Sequence, residues 1–456
     1  MFINREKEID RLKSAIKDRS TRLIILYGRR RCGKTALLRQ VLPEQSVYFT
    51  ADLREKPMQI AALSQQISTL VPGFGDVTYP DWEAILMSFK RAVSHHAVLC
   101  LDEFPYLVKN SPELPSIIQK ILDHPEPLPF AFILCGSAQQ MMQGIAIDSQ
   151  SPLYGRSDEI LRIRPMEMPV LSDYLGTNPM EAVEEYSVWG GVPRYWEIRK
   201  KTASLSQAIQ KHVLDRNGIL YDEPERLFAD EMRTAVQAFS VISLIASGCN
   251  RISEIAGRLG KPATQLTRLL GFLIDIGYIR REIPYGEHPR SSKRGLYKIN
   301  DPFLNFWFTF VIPNKSRLES GLGEEVWKEI KPRFRQYVSG EWETQCRRHT
   351  AFVEIAGKRF LPGSRWWGTG NDRKEMELDL VADSVDGSSI LIGEVKWSEK
   401  TDPLPVAHDL SEKIERFPFP RNKSIIPALF LPARPPGYAG KTPIIDASDL
   451  CEKKKW

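Results

Sequence analysis

Three runs in the first third of the chain, Leu23–Tyr27, Ala97–Leu101 and Phe130–Cys135, are apolar without alternation. That is the pattern of strands buried on both faces. Gln45–Ala51 reads as a fourth strand. Helical periodicity fills the gaps: Ile9, Leu12 and Ile16 within 5–18, a segment running to about Val41, and residues 57–70 and 81–94 on either side of a Pro72–Gly75 turn. Strands alternating with helices predict a parallel sheet in an α/β domain spanning 1–165. Residues 166–235 then read as a helical segment, broken by Gly190-Gly191-Val192-Pro193.

From residue 236 the pattern changes. Val241–Gly248, Ile252–Gly260 and Ala263–Ile276 read as three helices, the last with Leu266, Leu269, Leu270, Leu273 and Ile274 at core spacing. Tyr278–Ile283 and Gly295–Ile299 read as two strands around a loop holding Glu287, His288, Arg290, Lys293 and Arg294. Three helices and a basic two-stranded wing predict a winged helix-turn-helix within 236–312. The aromatic stretch Asn300–Phe310 is expected to pack as core. Residues 323–350 read as helical, and Glu375–Ala382, Ser389–Trp397 and Ile425–Leu431 as strands of a C-terminal domain over 323–456.

At 456 residues the chain is too long for one core, and three or four domains are expected. No apolar run approaches the roughly 18 residues that span a bilayer, and the charged start, Asn4-Arg5-Glu6-Lys7-Glu8, has no signal-peptide core. The six cysteines are scattered without metal spacing, so a reducing cytoplasm is the expected compartment. A net charge of +6 is compatible with nucleic acid but does not require it.

The chemistry starts at Gly28-Arg29-Arg30-Arg31-Cys32-Gly33-Lys34-Thr35, between a strand and a helix. G-x-x-x-x-G-K-T in that context is a phosphate-binding loop. Its N–H groups and the helix N-terminus face the phosphates of ATP, Lys34 adds a point charge, and the Thr35 hydroxyl is placed to ligate Mg2+. The strand ending in Asp102-Glu103 is expected to supply the other half of the site. There Asp102 holds Mg2+ through water, and Glu103 orients the attacking water. Ser137, after Phe130–Gly136, reads either as a group that senses the γ-phosphate or as a plain strand cap. Arg156, in Pro152-Leu153-Tyr154-Gly155-Arg156, reads either as an arginine finger acting in cis or in trans or as an ordinary salt-bridging residue. Arg194 is a weaker candidate for the same role, and 166–235 would be a lid responding to nucleotide. In the third helix, Lys261, Thr264, Gln265, Thr267 and Arg268 would face outward, towards DNA or towards a partner protein.

In the C-terminal domain Glu377 and Asp379 share one face of a strand, and Glu394 and Lys396 one face of the next. Asp379 and Glu394 can hold one or two Mg2+, and Lys396 can orient a water or stabilise charge on phosphorus. Glu343, on the preceding helix, could complete a metal-dependent nuclease site. A solvated strand face is the alternative. Trp366-Trp367 are expected in the core, with Arg365 and Arg373 making a nucleic-acid face conceivable.

Taken together, Phe2–Ile9, the phosphate loop, Leu101–Pro105, Cys135–Ser137, Pro152–Arg156 and Gly190–Tyr195 resemble the prokaryotic archaeal ATPase family, of the AAA+/STAND class of P-loop ATPases. Trp366-Trp367, Glu377–Asp379 and Gly393–Trp397 are similar to the PD-(D/E)xK nuclease-like, restriction-endonuclease-like domain often fused to it, although Leu378 stands where that motif has proline. The resemblance implies an ATP and Mg2+ site at Gly33, Lys34, Thr35, Asp102 and Glu103, and a nuclease site at Glu343, Asp379, Glu394 and Lys396.

Three readings stay open at this point. The first is an ATP-hydrolysing switch that licenses a nuclease domain to act on DNA. The second is a nucleotide-regulated DNA- or protein-binding scaffold with a non-catalytic C-terminus, and the third a transcription regulator. A homo-oligomer or a partner protein is compatible with each; a membrane is not expected.

Overall fold

The structure, a computed structural model, describes residues 4–93, 96–232, 234–418 and 423–452. Phe2 and Ile3 of the family-like N-terminal segment, and Ser94 at the end of the expected 81–94 helix, lie outside the described residues. The chain forms two compact units. One comprises Met1–Pro165, Val192–Arg194 and Arg226–Ala235; the other comprises Met166–Gly191, Tyr195–Glu225 and Val236–Trp456. The segment expected as a separate lid is thus divided between the two. Among the described residues no helix is long and apolar enough to cross a membrane, and all six cysteines are free.

The first unit is built on β1 (Leu23–Gly28), β2 (Ser46–Thr50), β3 (Ala97–Asp102), β4 (Phe130–Gly136) and β5 (Glu159–Ile163). They form one parallel sheet in the order β2-β3-β4-β1-β5. Every residue of β1, β3 and β4 is buried, which is why these three were legible as unbroken apolar runs. The fifth strand was not foreseen. It lies at the sheet edge and mixes Glu159 and Arg162 with Ile160, Leu161 and Ile163, only two of the five residues being buried. Helices Glu6–Lys17, Lys34–Val41, Lys56–Ile67 and Trp82–Ala92 fall where periodicity placed them. Phe74, Trp82, Phe89, Phe130 and Phe132 pack in one core on this sheet.

In the second unit, helices Ala235–Ala246, Ile252–Leu259 and Ala263–Asp275 precede the antiparallel pair β6 (Ile279–Glu282) and β7 (Leu296–Ile299). Thr264, Gln265, Thr267 and Arg268 are exposed on the third helix, and Lys261 just before it is half-buried. The basic loop departs from expectation. Arg281 donates to the Pro289 and Ser292 carbonyls at 2.7 and 2.6 Å, while Arg294 pairs with Glu287 and bonds the Trp367 carbonyl. Tyr285 N–H donates to Arg365 O at 2.9 Å. The loop therefore rests against the C-terminal sheet, and of its basic residues Arg290 and Lys293 are exposed with no hydrogen bond or ion pair of their side chains given by the structure. The aromatic stretch is core as expected: Phe303, Phe306, Trp307 and Phe308 are buried, and Trp307 Nε1 donates to Tyr221 O at 2.6 Å.

Helix Gly323–His349 leads into β8 (Ser364–Thr369), β9 (Glu375–Asp383) and β10 (Ser389–Val395), an antiparallel meander. Helix Pro403–Arg416 then returns the chain to β11 (Ser424–Phe430), parallel to β10, and β12 (Ile444–Ile445) closes the sheet as β12-β11-β10-β9-β8. Trp366 is buried edge-on to Phe417 at 5.1 Å, whereas Trp367 lies beneath the guanidinium groups of Arg294 and Arg365. One of the two tryptophans is core, as expected, and the other is a cation platform.

Candidate functional site

In a parallel sheet, ligands bind where the strands end. The phosphate loop leaves β1 at Gly28, β3 ends at Asp102, and β4 lies between them and ends beside Ser137. Gly28 has no room for a side chain, since a Cβ there would stand 2.2 Å from the Ile163 carbonyl oxygen. Gly33 enters the helix at φ 89°, a left-handed value that glycine adopts without penalty. Lys34 is buried inside the loop and donates to the Gly28 and Arg29 carbonyls at 2.8 and 3.1 Å. Arg29 and Cys32 are buried as well, and burial pushes the Cys32 thiol up despite nearby Arg29 and Lys34. Arg5 clamps the loop from outside, donating to Arg164 O at 2.6 Å and Cys32 O at 3.5 Å. Arg31 is exposed; Arg30 pairs with Asp230, and its N–H donates to Glu231 at 3.4 Å.

Asp102 is buried and bonded entirely by uncharged donors. Thr35 Oγ1 donates to its Oδ2 at 3.2 Å, the Tyr48 hydroxyl donates to the same oxygen, and Glu103 N–H donates to Oδ1 at 2.9 Å. Burial and then the Asp102 bond push the Tyr48 phenol well up, so it stays a donor. The Thr35 and Asp102 oxygens together form the kind of hard oxygen set that suits Mg2+. Tyr48 was missed in the sequence, where it was only one residue of a strand.

Glu103 sits at φ 54°, ψ 41°, an uncommon left-handed conformation for a non-glycine residue, of the kind found at functional sites. Its carboxylate accepts from Ser137 Oγ at 3.0 and 2.9 Å and from Ser137 N–H at 3.3 Å. Ser137 therefore meets Glu103 directly.

Arg156 is placed elsewhere. Its guanidinium binds Asp123 at 2.8–3.1 Å and the Pro152 carbonyl at 3.1 Å. Asp123 follows Leu122, whose carbonyl accepts from Arg22 just before β1. Arg156 is thus at the starting end of the strands, about 20 Å of six-residue strand away from the loop. This corrects the expectation of action in cis, because the structure ties Arg156 to Asp123 instead. Arg194 is exposed in the first turn of helix Pro193–Arg199.

In the second unit, the β9–β10 ladder ends at Leu380 opposite Gly393, and Asp379 and Glu394 are the next residues past that end. Val395 N–H donates to Asp379 Oδ2 at 3.0 Å. Burial, and then the charge of Glu394, hold the Asp379 carboxyl up at about 6. Glu394 is buried, and each of its oxygens meets an ammonium: Lys396 on Oε1 and Lys413 on Oε2, both at 2.7 Å. Burial works against the Lys396 charge, but the Glu394 bond outweighs it and raises the lysine. Glu343 approaches from its helix, ion-paired with Arg347 at 3.4 Å, and Arg347 also donates to Asp379 O at 3.0 Å. Glu394 and Lys396 are therefore in contact, and Asp379 lies near enough to feel the charges of Glu394 and Glu343. Lys413, on helix Pro403–Arg416, joins them unforeseen, as does Arg347. Paired acids beside lysine suit a hard divalent cation.

Residues 2–197 match the family described as an ATPase domain predominantly from Archaea, and residues 307–408 match one described as archaeal and bacterial proteins of unknown function. An uncharacterised protein of Methanocaldococcus jannaschii is 29% identical over 408 residues, covering 88% of this chain and 89% of its own. A shorter uncharacterised ATP-binding protein of the same organism is 43% identical over 47 residues, which is 10% of this chain and 80% of that one. Among solved structures, a Walker-type ATPase of Pyrococcus abyssi shares the fold at a TM-score of 0.51 with 19% identity, covering 67% of this chain and 96% of its own. The chain thus carries an ATPase-like P-loop domain similar to those of archaeal ATPases, followed by a C-terminal region with its own sheet and shared with proteins of unknown function.

Proposed function

We propose that the protein is an ATP-hydrolysing switch whose nucleotide state governs a DNA-contacting winged helix and a Mg2+-dependent nuclease site in the C-terminal region. The observation that carries the nuclease half is the approach of Asp379 and Glu394 at the ends of neighbouring strands, with Lys396, just past the second strand, bonded to Glu394. The element order of that region, a helix, a three-stranded meander, a second helix and a parallel strand, supports the same reading. The hydrolytic half is supported by Thr35 and Asp102 in contact and by Glu103 one residue on, in reach of Ser137.

In this reading the loop N–H groups and Lys34 bind the phosphates, Thr35 and Asp102 hold Mg2+, and Glu103 takes the proton of the attacking water. Ser137 holds Glu103 until nucleotide competes for it. Arg156, tied to Asp123 within its own chain, is left with action in trans, on a nucleotide held by a second copy of the chain. At the C-terminal site Asp379 and Glu394 would hold a divalent cation, which supplies Lewis-acid polarisation of a phosphodiester. Lys396 steadies the charge that develops on the phosphate.

The outward third-helix residues support contact with DNA. A second reading, a nucleotide-regulated scaffold without cleavage, is favoured by one observation: both oxygens of Glu394 are already paired with lysines. One assay separates the two readings. Purified protein is incubated with ATP, Mg2+ and supercoiled or linear DNA, and phosphate release and DNA integrity are followed together. Lys34→Ala should lose ATP turnover by about 100-fold or more. Glu394→Ala should keep ATP turnover within about twofold and lose cleavage, because the two residues belong to separate compact units. Intact DNA with the unaltered protein, in Mg2+ and in Mn2+, would leave the scaffold reading standing.

A further inference from the structure

We propose that Lys413 is a built-in cation of the Asp379–Glu394 site, standing where a second metal ion would otherwise be bound, so that the site takes one divalent cation. The proposal rests on the divalent-cation reading of that site given above.

The cations are shared unequally. Glu343 meets Arg347, which also pairs with Glu282 at 3.8 Å and donates to the Asp379 main-chain carbonyl, while Glu394 meets Lys396 and Lys413. Glu394 carries two of those cations, one on each oxygen at 2.7 Å. In a two-metal phosphodiesterase site the ions stand about 3.5–4 Å apart, a spacing served by carboxylates that offer both oxygens. Both Glu394 oxygens already accept from an ammonium, so room for a second ion there requires Lys413 to leave. Asp379 is different: its Oδ2 accepts a backbone N–H, and among the described residues no ammonium or guanidinium bonds its carboxylate. A single cation would therefore sit on the Asp379 side.

Lys413 is also held more firmly than a surface lysine. It lies in the last turn of helix Pro403–Arg416, where a positive charge is favoured by the helix dipole. Leu410, one turn earlier, is fully buried in the core of this sheet, and Ile414 packs against that core. The Lys413 side chain is 28% exposed, against 43% for Lys396 and 7% for Glu394. The strand lysine is the freer of the two, and so the better placed to meet a substrate. The helix lysine is the better placed to stay.

The ordinary alternative is an ion pair that merely covers a buried carboxylate, and metal counting distinguishes the two. Mn2+ binding is measured by calorimetry and by the EPR signal of the free ion, on the full chain without nucleotide. Asp379→Asn gives the baseline for ions held elsewhere, such as at the exposed His408, Asp409 and Glu412. Melting curves check that each variant is folded. The unaltered protein should bind one Asp379-dependent Mn2+. Lys413→Met should bind a second, or bind the first about tenfold tighter or more, and Lys413→Arg, which keeps the charge, should behave as the unaltered protein. Lys413→Gln serves the same purpose should Lys413→Met fail to fold. One ion at unchanged affinity after loss of the lysine, or two ions in the unaltered protein, overturns the assignment of Lys413 and leaves the divalent site intact. Absence of any Asp379-dependent ion in the unaltered protein and in the lysine variants alike overturns both.

Discussion

Each of the two units holds a pair of neighbouring acids with one member buried, Asp102 in the first and Glu394 in the second, and the two pairs are held in opposite ways. Asp102 and Glu103 are bonded by hydroxyls and backbone N–H groups, from Thr35, Tyr48 and Ser137, with the cation Lys34 turned towards loop carbonyls instead. Glu394 is met by Lys396 and Lys413 and Glu343 by Arg347, while the Asp379 carboxylate accepts the Val395 N–H. A buried carboxylate costs several kcal/mol unless it is paired or hydrogen-bonded, and both solutions avoid that cost. They differ in what a ligand must change. Neutral donors can reorient when a metal–nucleotide complex brings its own charge, whereas fixed cations must be displaced or kept. The first arrangement suits a site that is filled and emptied, the second a site whose charge is largely set by the chain.

The sharpest way to break this comparison is to neutralise Glu103 without changing its shape. Glu103→Gln can still accept from Ser137, so nucleotide binding should stay within about threefold while ATP turnover falls by roughly 10²–10⁴. Equal losses of binding and turnover would show that the Glu103 charge, and not neutral bonding, organises the loop. A smaller effect is expected in the second unit. With its carboxyl held up at about 6 against an ordinary 3.8, Asp379 keeps its proton longer in the folded chain than in the unfolded one. Its contribution to stability is therefore full below about pH 4 and is lost as pH rises through 6. Unfolding of the second unit in chelator should lose on the order of 1–3 kcal/mol across that window. Asp379→Asn should flatten the loss. The smallest effect tests the neutral donors one at a time: Tyr48→Phe should cost about 1 kcal/mol in chemical denaturation. A much larger cost would mean that Asp102 depends on that single hydroxyl.

What could be read from the sequence follows how local each signal is. The phosphate loop, β3 with Asp102 and Glu103, and the β9–β10 pair are contiguous motifs in their own flanks, and they were read with their residues intact. Ser137 is legible as a polar residue at the end of a strand, but its partner is not, because contact with Glu103 depends on β4 lying between β1 and β3. Arg156 reads equally as an arginine finger or a salt-bridging residue for the same reason: a loop arginine reveals nothing of Asp123, 33 positions earlier in the chain. The strand β5 was hidden by polar residues that an edge tolerates. Helix Pro403–Arg416 did have a signal, Asp402 before proline, and its carboxylate does cap the Leu404 N–H at 3.1 Å. Lys413 had none, since a lysine 19 positions after Glu394 marks nothing until the helix folds back on the sheet.

The strand order of the first sheet bears on how the molecule is made. β1 emerges first, yet both its neighbours, β4 and β5, come after β2 and β3 in the chain. Its buried Leu23-Ile24-Ile25-Leu26 therefore waits unpaired through much of the synthesis of the first unit, and parallel pairings of this span are slow to close. The meander β8-β9-β10 needs no such wait, because each strand pairs with the one just made. On the ribosome the ATPase half would be late in becoming competent, its phosphate loop held at the end of a strand without partners. That interval is when the nascent chain most needs protection from aggregation.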